Sequence, residues 1–195
     1  MRTRLSLLAI ATCLVGTAHA STPVRVTRFH LDAPIERTTI AVEPITGSDP
    51  ASLEARGYAD SVAAELTRQG FRVTPPATPA TLRATVSFSR ELRTLEPARP
   101  PVTIGLGAGG FGGGFGGGGS VAFGVGKGRA RESYASQLSV QLRRSDGGAV
   151  VWEGRAQMEA DSRARDAQPG VAADKLAAAL FKGFPGESGR TITVK

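Results

Sequence analysis

The chain has 195 residues, a length typical of one domain. Hydrophobic residues make up 41% of it, which is enough for a core and excludes a wholly disordered chain. The formal net charge is +7, from 24 Lys and Arg against 17 Asp and Glu, so an acidic or neutral partner surface is favoured over a basic one.

The first twenty residues are typical of a secretion signal. Two arginines begin it, residues 5–15 form an apolar stretch, and Ala18-His19-Ala20 is a small-x-small cleavage pattern. The apolar stretch is shorter than the roughly 20 residues that cross a bilayer, so no transmembrane helix is expected in the mature chain. We therefore expect cleavage between Ala20 and Ser21, and a periplasmic protein.

Cys13 leaves a second location open. Residues 10–13 faintly resemble a lipobox, in which the cysteine is lipidated and becomes the mature N-terminus, although Thr12 fits that pattern poorly. This alternative would make the chain an outer-membrane lipoprotein. Cleavage after Ala20 instead removes the only cysteine, and no disulfide could then stabilise the fold.

Cleavage leaves 22 Lys and Arg against 17 Asp and Glu, a net charge of +5. Nucleic acid is the usual partner of a basic protein, but an exported protein seldom meets it, and the sequence has no run of five or more like charges. Anionic envelope components (lipid headgroups, lipopolysaccharide or cell-wall polymer) or an envelope protein are the expected partners. An ordinary solvated basic surface is the alternative, and the oligomeric state stays open.

The first half of the mature chain predicts strands around one helix. Residues 24–30 and 39–44 are β-branched runs typical of strands. Asp49-Pro50 indicates a helix start, with Asp49 as the N-cap. Gly70 ends that helix, and residues 71–74 form a short strand.

A long strand and a glycine-rich segment follow. Residues 82–89 alternate between apolar and polar, which indicates a half-buried strand. In residues 105–128, 14 of 24 are glycine, too many to offset the entropy of ordering, so we expect a flexible loop between two strands. Residues 105–110 match the pattern G-x-G-x-x-G, but more glycine follows instead of a helix, so no nucleotide cofactor is expected.

The second half predicts a β-hairpin and a second helix. Residues 134–143 and 150–158 alternate on either side of Asp146-Gly147-Gly148, a strong turn signal, and we expect Trp152 in the core. Residues 171–182 have helical periodicity. Residues 191–194 form a last short strand or have no regular secondary structure.

These elements predict one α+β domain over residues 21–195. We expect one mainly antiparallel sheet, two helices packed on one of its faces, and the glycine-rich loop between two strands.

A predicted strand at residues 138–142, a small turn at residues 146–148 and a strand with the pattern V-W-x-G at residues 151–156 follow one another. This order resembles a family called domain of unknown function 4136, whose members have the same three elements. A helix closing in a phenylalanine-proline pair is matched at Phe184-Pro185, and residues 66–71 are similar to the end of the family's first helix. The resemblance implies an envelope location and an α+β fold, and it brings no catalytic residues. Many members look like lipoproteins.

No catalytic constellation is evident. His30 is the only histidine after cleavage and cysteine is then absent, so zinc, copper and a Ser-His-Asp triad are not expected. A carboxylate pair for glycoside cleavage could come only from scattered glutamates, so a hydrolase is the less favoured class. These glutamates are Glu43, Glu91, Glu96, Glu153 and Glu159.

Arginines suggest a binding surface instead. Arg83, Arg143 and Arg155 lie on the non-core side of patterned strands, and Arg144 follows at a strand end. If the strands are neighbours, these side chains could form a face that binds an anion. We therefore expect a non-catalytic envelope protein that binds or scaffolds, or alternatively an accessory subunit that docks on an outer-membrane or cell-wall machine by strand addition.

Overall fold

The computed structural model describes residues 22–45, 49, 52–95 and 131–195. The expected signal sequence, with Cys13, Ala20 and Ser21, and the glycine-rich segment 105–128 lie outside the described residues. The described residues form seven strands and two helices. In chain order these are β1 (Val24–His30), β2 (Thr39–Pro44), α1 (Leu53–Arg68), β3 (Arg72–Thr74), β4 (Leu82–Leu95), β5 (Arg131–Arg144), β6 (Val150–Asp161), α2 (Pro169–Phe181) and β7 (Thr191–Val194).

The strands form one sheet in the order β3-β2-β4-β5-β6-β1-β7. The pairings of β2 with β3 and with β4 are parallel, and the other pairings are antiparallel. The fold is therefore α+β, as expected, but the sheet is mixed rather than mainly antiparallel. Because α1 carries the chain from β2 back to the same end of the sheet, β3 can only lie parallel to β2.

Both helices pack on the same face of the sheet, as the sequence predicted. Helix α1 lies over β2 and β4, and α2 lies over β6, β1 and β5. Helix α1 begins at Leu53 with Ser52 as its N-cap, whose side chain accepts a hydrogen bond from the Ala55 amide at 3.2 Å, so the predicted start at Asp49-Pro50 is wrong. Gly70 ends the helix with a φ of +90°, a conformation that glycine adopts readily.

The hairpin of β5 and β6 supplies the centre of the core. The even-numbered residues 136–142 of β5 and 152–160 of β6 point toward the helices and are buried, and a register irregularity lies next to the turn, at Leu142 and Arg143. Trp152 is fully buried, as expected, against the rings of Phe181 and Phe184 at 5.4 and 5.2 Å between centroids. Its indole Nε1 donates to the Pro185 carbonyl at 3.1 Å, so the last helix and the chain after it are held on β6.

Gly154 explains the spacing of the Trp-x-Gly pattern. It lies two residues after Trp152 on the same face of β6, under the indole ring. A Cβ atom at this position would lie 2.5 Å from Cη2 of Trp152 and 2.8 Å from Cδ1 of Leu180. Only glycine therefore lets the indole lie flat between the strand and α2.

Arg28 joins the first strand to the last helix. Its Nε donates to the Leu180 carbonyl at 2.9 Å, and its Nη2 donates to the carbonyls of Ala179 and Lys182 at 3.1 and 2.8 Å. These carbonyls lie at the C-terminal end of α2, where a cation is favourable. Burial lowers the pKa of the Arg28 guanidinium from its ordinary value.

Candidate binding site on the open sheet face

The second face of the sheet is not covered by either described helix. It carries the odd-numbered side chains of β1, β4 and β5, and those of β6 from Glu153 onward, and we call it the open face. Its side chains are mostly polar, with arginines in excess of acidic residues. The charged residues of these strands are Arg25, Arg83, Arg93, Arg131, Arg143 and Arg155, with Glu91, Glu153, Glu159 and Asp161, and the register adds Glu43 of β2 and Arg72 of β3 to the same face.

A cleft of about 470 Å³ lies in the middle of the open face. The strand register places Thr27, Arg155, Ser139 and Ser87 in one row across β1, β6, β5 and β4. The three hydroxyl side chains in this row are short, whereas arginine is long. The cleft therefore has a hydroxyl-lined floor with one guanidinium in it, since all four residues line it.

Several hydrogen-bond donors in this cleft are unused. The Arg155 side chain is exposed and has neither an ion pair nor a hydrogen bond to any other residue that the structure describes. The hydroxyls of Thr85 and Ser87, which are half-buried, likewise have no partner among the described residues. A guanidinium has five N–H donors and no acceptor, so these groups together present hydrogen-bond donors to whatever enters the cleft.

Hydrogen bonds between polar side chains hold both sides of the cleft. On one side Gln141 donates from Nε2 to the Glu153 carboxylate at 3.2 Å, and its Oε1 accepts from Arg143 at 2.6 and 2.9 Å. On the other side Gln157 donates to Gln137 at 2.6 Å. The Glu153 carboxylate thus bonds to an amide and not to Arg155, which leaves the charge of Arg155 uncompensated by an ion pair in the described part of the chain.

The four arginines that the sequence singled out do not form one cluster. Arg83 and Arg143 are directly opposite each other on the open face, and Arg83 pairs with Glu43 at 3.0 Å. Arg155 lies opposite Ser139, four residues along β5 from Arg143, which is about 13 Å at 3.3 Å per residue. Arg144 has the opposite orientation and lines a separate small cleft with Leu82 and Val151.

Two apolar side chains that line the cleft on opposite sides, one on β1 and one just after β2, were not singled out from the sequence. Phe29 is 49% exposed and Ile45 is 46% exposed, and both line the same cleft as Arg155. Phe29 alternates with inward-facing residues of β1, so the signal was a phenylalanine at a solvent-facing position of a patterned strand.

Glu91 and Glu159 line one small cleft together, where the Arg93 guanidinium lies 3.7 Å from the Glu159 carboxylate, and the other glutamates considered for catalysis lie apart. Glu43 pairs with Arg83, and Glu159 accepts from the Ser133 hydroxyl at 2.6 Å, while Glu96 lies outside the described residues. Glu153 and Glu159 are six residues apart on one strand, which is about 20 Å along β6. That spacing exceeds the carboxylate separations of glycoside hydrolases.

The pKa shifts that stand out lie away from the cleft. A hydrogen bond from Lys175, with a smaller contribution from Thr22, lowers the pKa of the Asp166 carboxyl. Burial and a hydrogen bond to Glu54 raise the pKa of the Tyr58 hydroxyl. Tyr58 belongs to α1, and Asp166 bonds to Lys175 of α2, so neither pKa shift concerns a group in the cleft.

No helix in the described ranges has the length and apolar character needed to cross a membrane. Within the same ranges, no three His, Cys, Asp or Glu side chains come together in a group that could hold a metal ion.

Comparison with solved structures gives weak likenesses. A PelC dodecamer from Paraburkholderia phytofirmans has a TM-score of 0.45 at 12% identity, covering 85% of this chain and 99% of that one. A PDZ domain protein from Parabacteroides distasonis has a TM-score of 0.47 at 14% identity, covering 88% of this chain and 39% of that one. At these TM-scores neither likeness assigns a property to this chain.

Comparison of sequences identifies the family. An uncharacterized protein of Zymomonas mobilis is 35% identical, with 90% of this chain and 82% of the relative covered. The family model described as domain of unknown function (DUF4136) matches residues 29–186, which include every residue lining the cleft except Thr27, the Trp-x-Gly pattern and Phe184-Pro185. The chain therefore belongs to the DUF4136 family of proteins.

Proposed function

We propose that this protein is a non-catalytic, exported binding protein of the bacterial cell envelope, and that its open face holds an anionic ligand. The observation that carries the proposal is the set of unused donors on Arg155, Thr85 and Ser87 in one cleft. Arginine binds phosphate and carboxylate groups through two parallel charge-assisted hydrogen bonds, and hydroxyls add further donors to the same anion.

The sequence supports export. The positive start, the short apolar stretch and Ala18-His19-Ala20 together make a secretion signal, and the proposed mature chain begins at Ser21 in the periplasm. Intact-mass measurement of the protein from its native host tests this point. A diacyl- or triacyl-modified N-terminus at Cys13 would replace the periplasm with the outer membrane as its location.

Binding is tested with a soluble anion. We expect glycerol phosphate to shift the backbone amide NMR signals of Ser87, Ser139 and Arg155 in the mature chain at low salt. Arg155→Gln should abolish the saturable shift, whereas Arg163→Gln, which removes an exposed loop arginine, should preserve it. Binding should weaken as added salt shortens the Debye length from about 30 Å at 0.01 M to about 8 Å at 0.15 M. Shifts scattered over the surface, or equal losses in both variants, would contradict the proposal.

An accessory subunit is the second candidate function. The edge strands β3 and β7 each pair with one neighbour, so their outer backbone groups have no strand partner in the described part of the chain. Such edges can accept a strand from a partner protein. Crosslinking in the intact envelope followed by pull-down distinguishes the two candidates, because a stoichiometric protein partner favours docking and its absence favours the anion-binding module.

A further inference from the structure

We infer that the anion is the headgroup of a membrane phospholipid and that the open face lies against an anionic bilayer surface. This inference rests on the proposed anion site and adds the chemical class of its ligand. It follows from the position of the apolar side chains, the distribution of charge and the shape of the cleft.

An apolar side chain, Phe29, lies in the row of residues next to the row that contains Arg155. Phe29 is opposite Glu153 and Arg155 is opposite Thr27, so Phe29 and the Arg155 row are separated by two residues along β1, about 7 Å. Ile45 lines the opposite side of the cleft, beside β4, where its amide donates to the Val86 carbonyl at 2.8 Å. A phosphate on Arg155 would therefore bring the glycerol and upper acyl carbons of the same lipid to Phe29, covering apolar surface that otherwise faces water.

Charge favours the same orientation. Among the described residues the open face carries seven arginines and five acidic side chains, whereas the two helices carry charges of both signs in equal number at positions that are not buried. These helix residues are Glu54, Arg56, Asp60, Arg68, Asp174 and Lys175. An anionic bilayer attracts the side of a protein with surplus basic residues, so the molecule should approach it with the sheet and not with the helices.

The cleft is open, which argues for a surface-bound headgroup. Arg155 is exposed and the hydroxyls that share the cleft are at most half-buried, so the site does not enclose an ion on all sides. A soluble phosphate would keep part of its hydration shell there and bind weakly. A headgroup held in a bilayer is instead presented at high local concentration to a shallow, wide face.

A tryptophan reporter tests the orientation directly. Phe29→Trp places an indole on the open face, while Trp152 is fully buried and provides a constant background in every variant. Ala64→Trp, at an exposed position on α1, is the matched control on the opposite side of the molecule. Each mature variant is titrated at low salt with vesicles of phosphatidylglycerol and phosphatidylcholine, and with vesicles of phosphatidylcholine alone.

We expect a blue shift for Phe29→Trp with phosphatidylglycerol vesicles and no shift for Ala64→Trp. Adding Arg155→Gln should weaken vesicle binding about fivefold, the factor that corresponds to one arginine at an anionic surface. Near-ultraviolet circular dichroism of each variant, which reports Trp152 in the core, establishes that the fold is intact. Equal shifts with both vesicle types, or equal shifts in both reporters, would overturn the membrane orientation.

The anion site and the lipid orientation can be tested separately. If glycerol phosphate binds with the Arg155 dependence described above while vesicles leave Phe29→Trp unshifted, the anion site stands and the lipid inference is wrong. If neither glycerol phosphate nor phosphatidylglycerol vesicles bind, both proposals are wrong.

Discussion

Substitution of Gly154 by alanine provides a quantitative test of the core. The added methyl carbon would lie 2.5 Å from Cη2 of Trp152 and 2.8 Å from Cδ1 of Leu180, both of which belong to fully buried side chains. Separations below 3.0 Å require a neighbour to move. Overpacking of this kind costs about 2 kcal/mol, and tilting the indole away from the Pro185 carbonyl would cost about 1 kcal/mol more. We expect Gly154→Ala to lower the free energy of unfolding by about 3 kcal/mol.

A double-mutant cycle isolates the cause. Trp152→Phe removes the outer part of the indole, including Cη2, so Gly154→Ala should cost about 1 kcal/mol in that background. The coupling free energy would then be about 2 kcal/mol. Urea unfolding followed by far-ultraviolet circular dichroism measures all four proteins without depending on the tryptophan.

A second glycine serves as the control. Gly57 lies on the exposed side of α1, and a Cβ there would meet no atom within 4 Å. Gly57→Ala should therefore stabilise the protein by about 1 kcal/mol through helix propensity. A Gly154→Ala protein within about 0.5 kcal/mol of the wild type, or additive effects in the cycle, would refute the steric explanation of the Trp-x-Gly pattern.

Three further changes have defined outcomes. Arg28→Met should lower the free energy of unfolding in urea by about 2–4 kcal/mol, because three carbonyls at the end of α2 lose their donor, whereas Arg25→Met on the same strand should change it by less than about 0.5 kcal/mol. Trp152→Ala should cost about 3–5 kcal/mol, and a loss below about 1 kcal/mol would contradict its core position. The pKa of Asp166 is lower in the folded state, so its contribution to stability is present above the unfolded pKa of about 3.9 and is lost as pH falls through the folded pKa. Asp166→Asn should flatten the fall of the urea midpoint below about pH 4, and an unchanged pH profile would exclude this role.

Local sequence patterns predicted the elements that depend on local chemistry. The β5–β6 hairpin was predictable because both strands are buried on one face only and are joined at Asp146-Gly147-Gly148. The end of α1 was predictable because Gly70 takes a left-handed conformation. The start of α1 was not, since Ser52 and Asp49 are both good N-caps and the structure uses Ser52.

The strand order was beyond what local patterns contain. Alternation shows which side of a strand is buried, but pairing depends on residues far apart in the sequence. The strand–helix–strand order of β2, α1 and β3 is typical of a parallel pair, whereas no local pattern indicated that β2 is also parallel to β4. The candidate cleft could not be predicted for the same reason. Thr85, Ser87 and Thr27 are ordinary polar residues of strand faces. They line one cleft only because β1, β6, β5 and β4 are adjacent in that order.

The position of β1 determines when this chain can fold. β1 lies between β6 and β7, and Val26 is opposite both Ala156 and Ile192. A growing chain therefore holds its first strand unpaired on both edges until nearly all of the sequence has been synthesised, because no earlier segment occupies either edge. Such late closure slows folding, and a chain truncated before β6 would leave the apolar side of β1 exposed to aggregation. For a protein proposed to be exported, this delay would lengthen the time in which the chain is still unfolded and can be translocated.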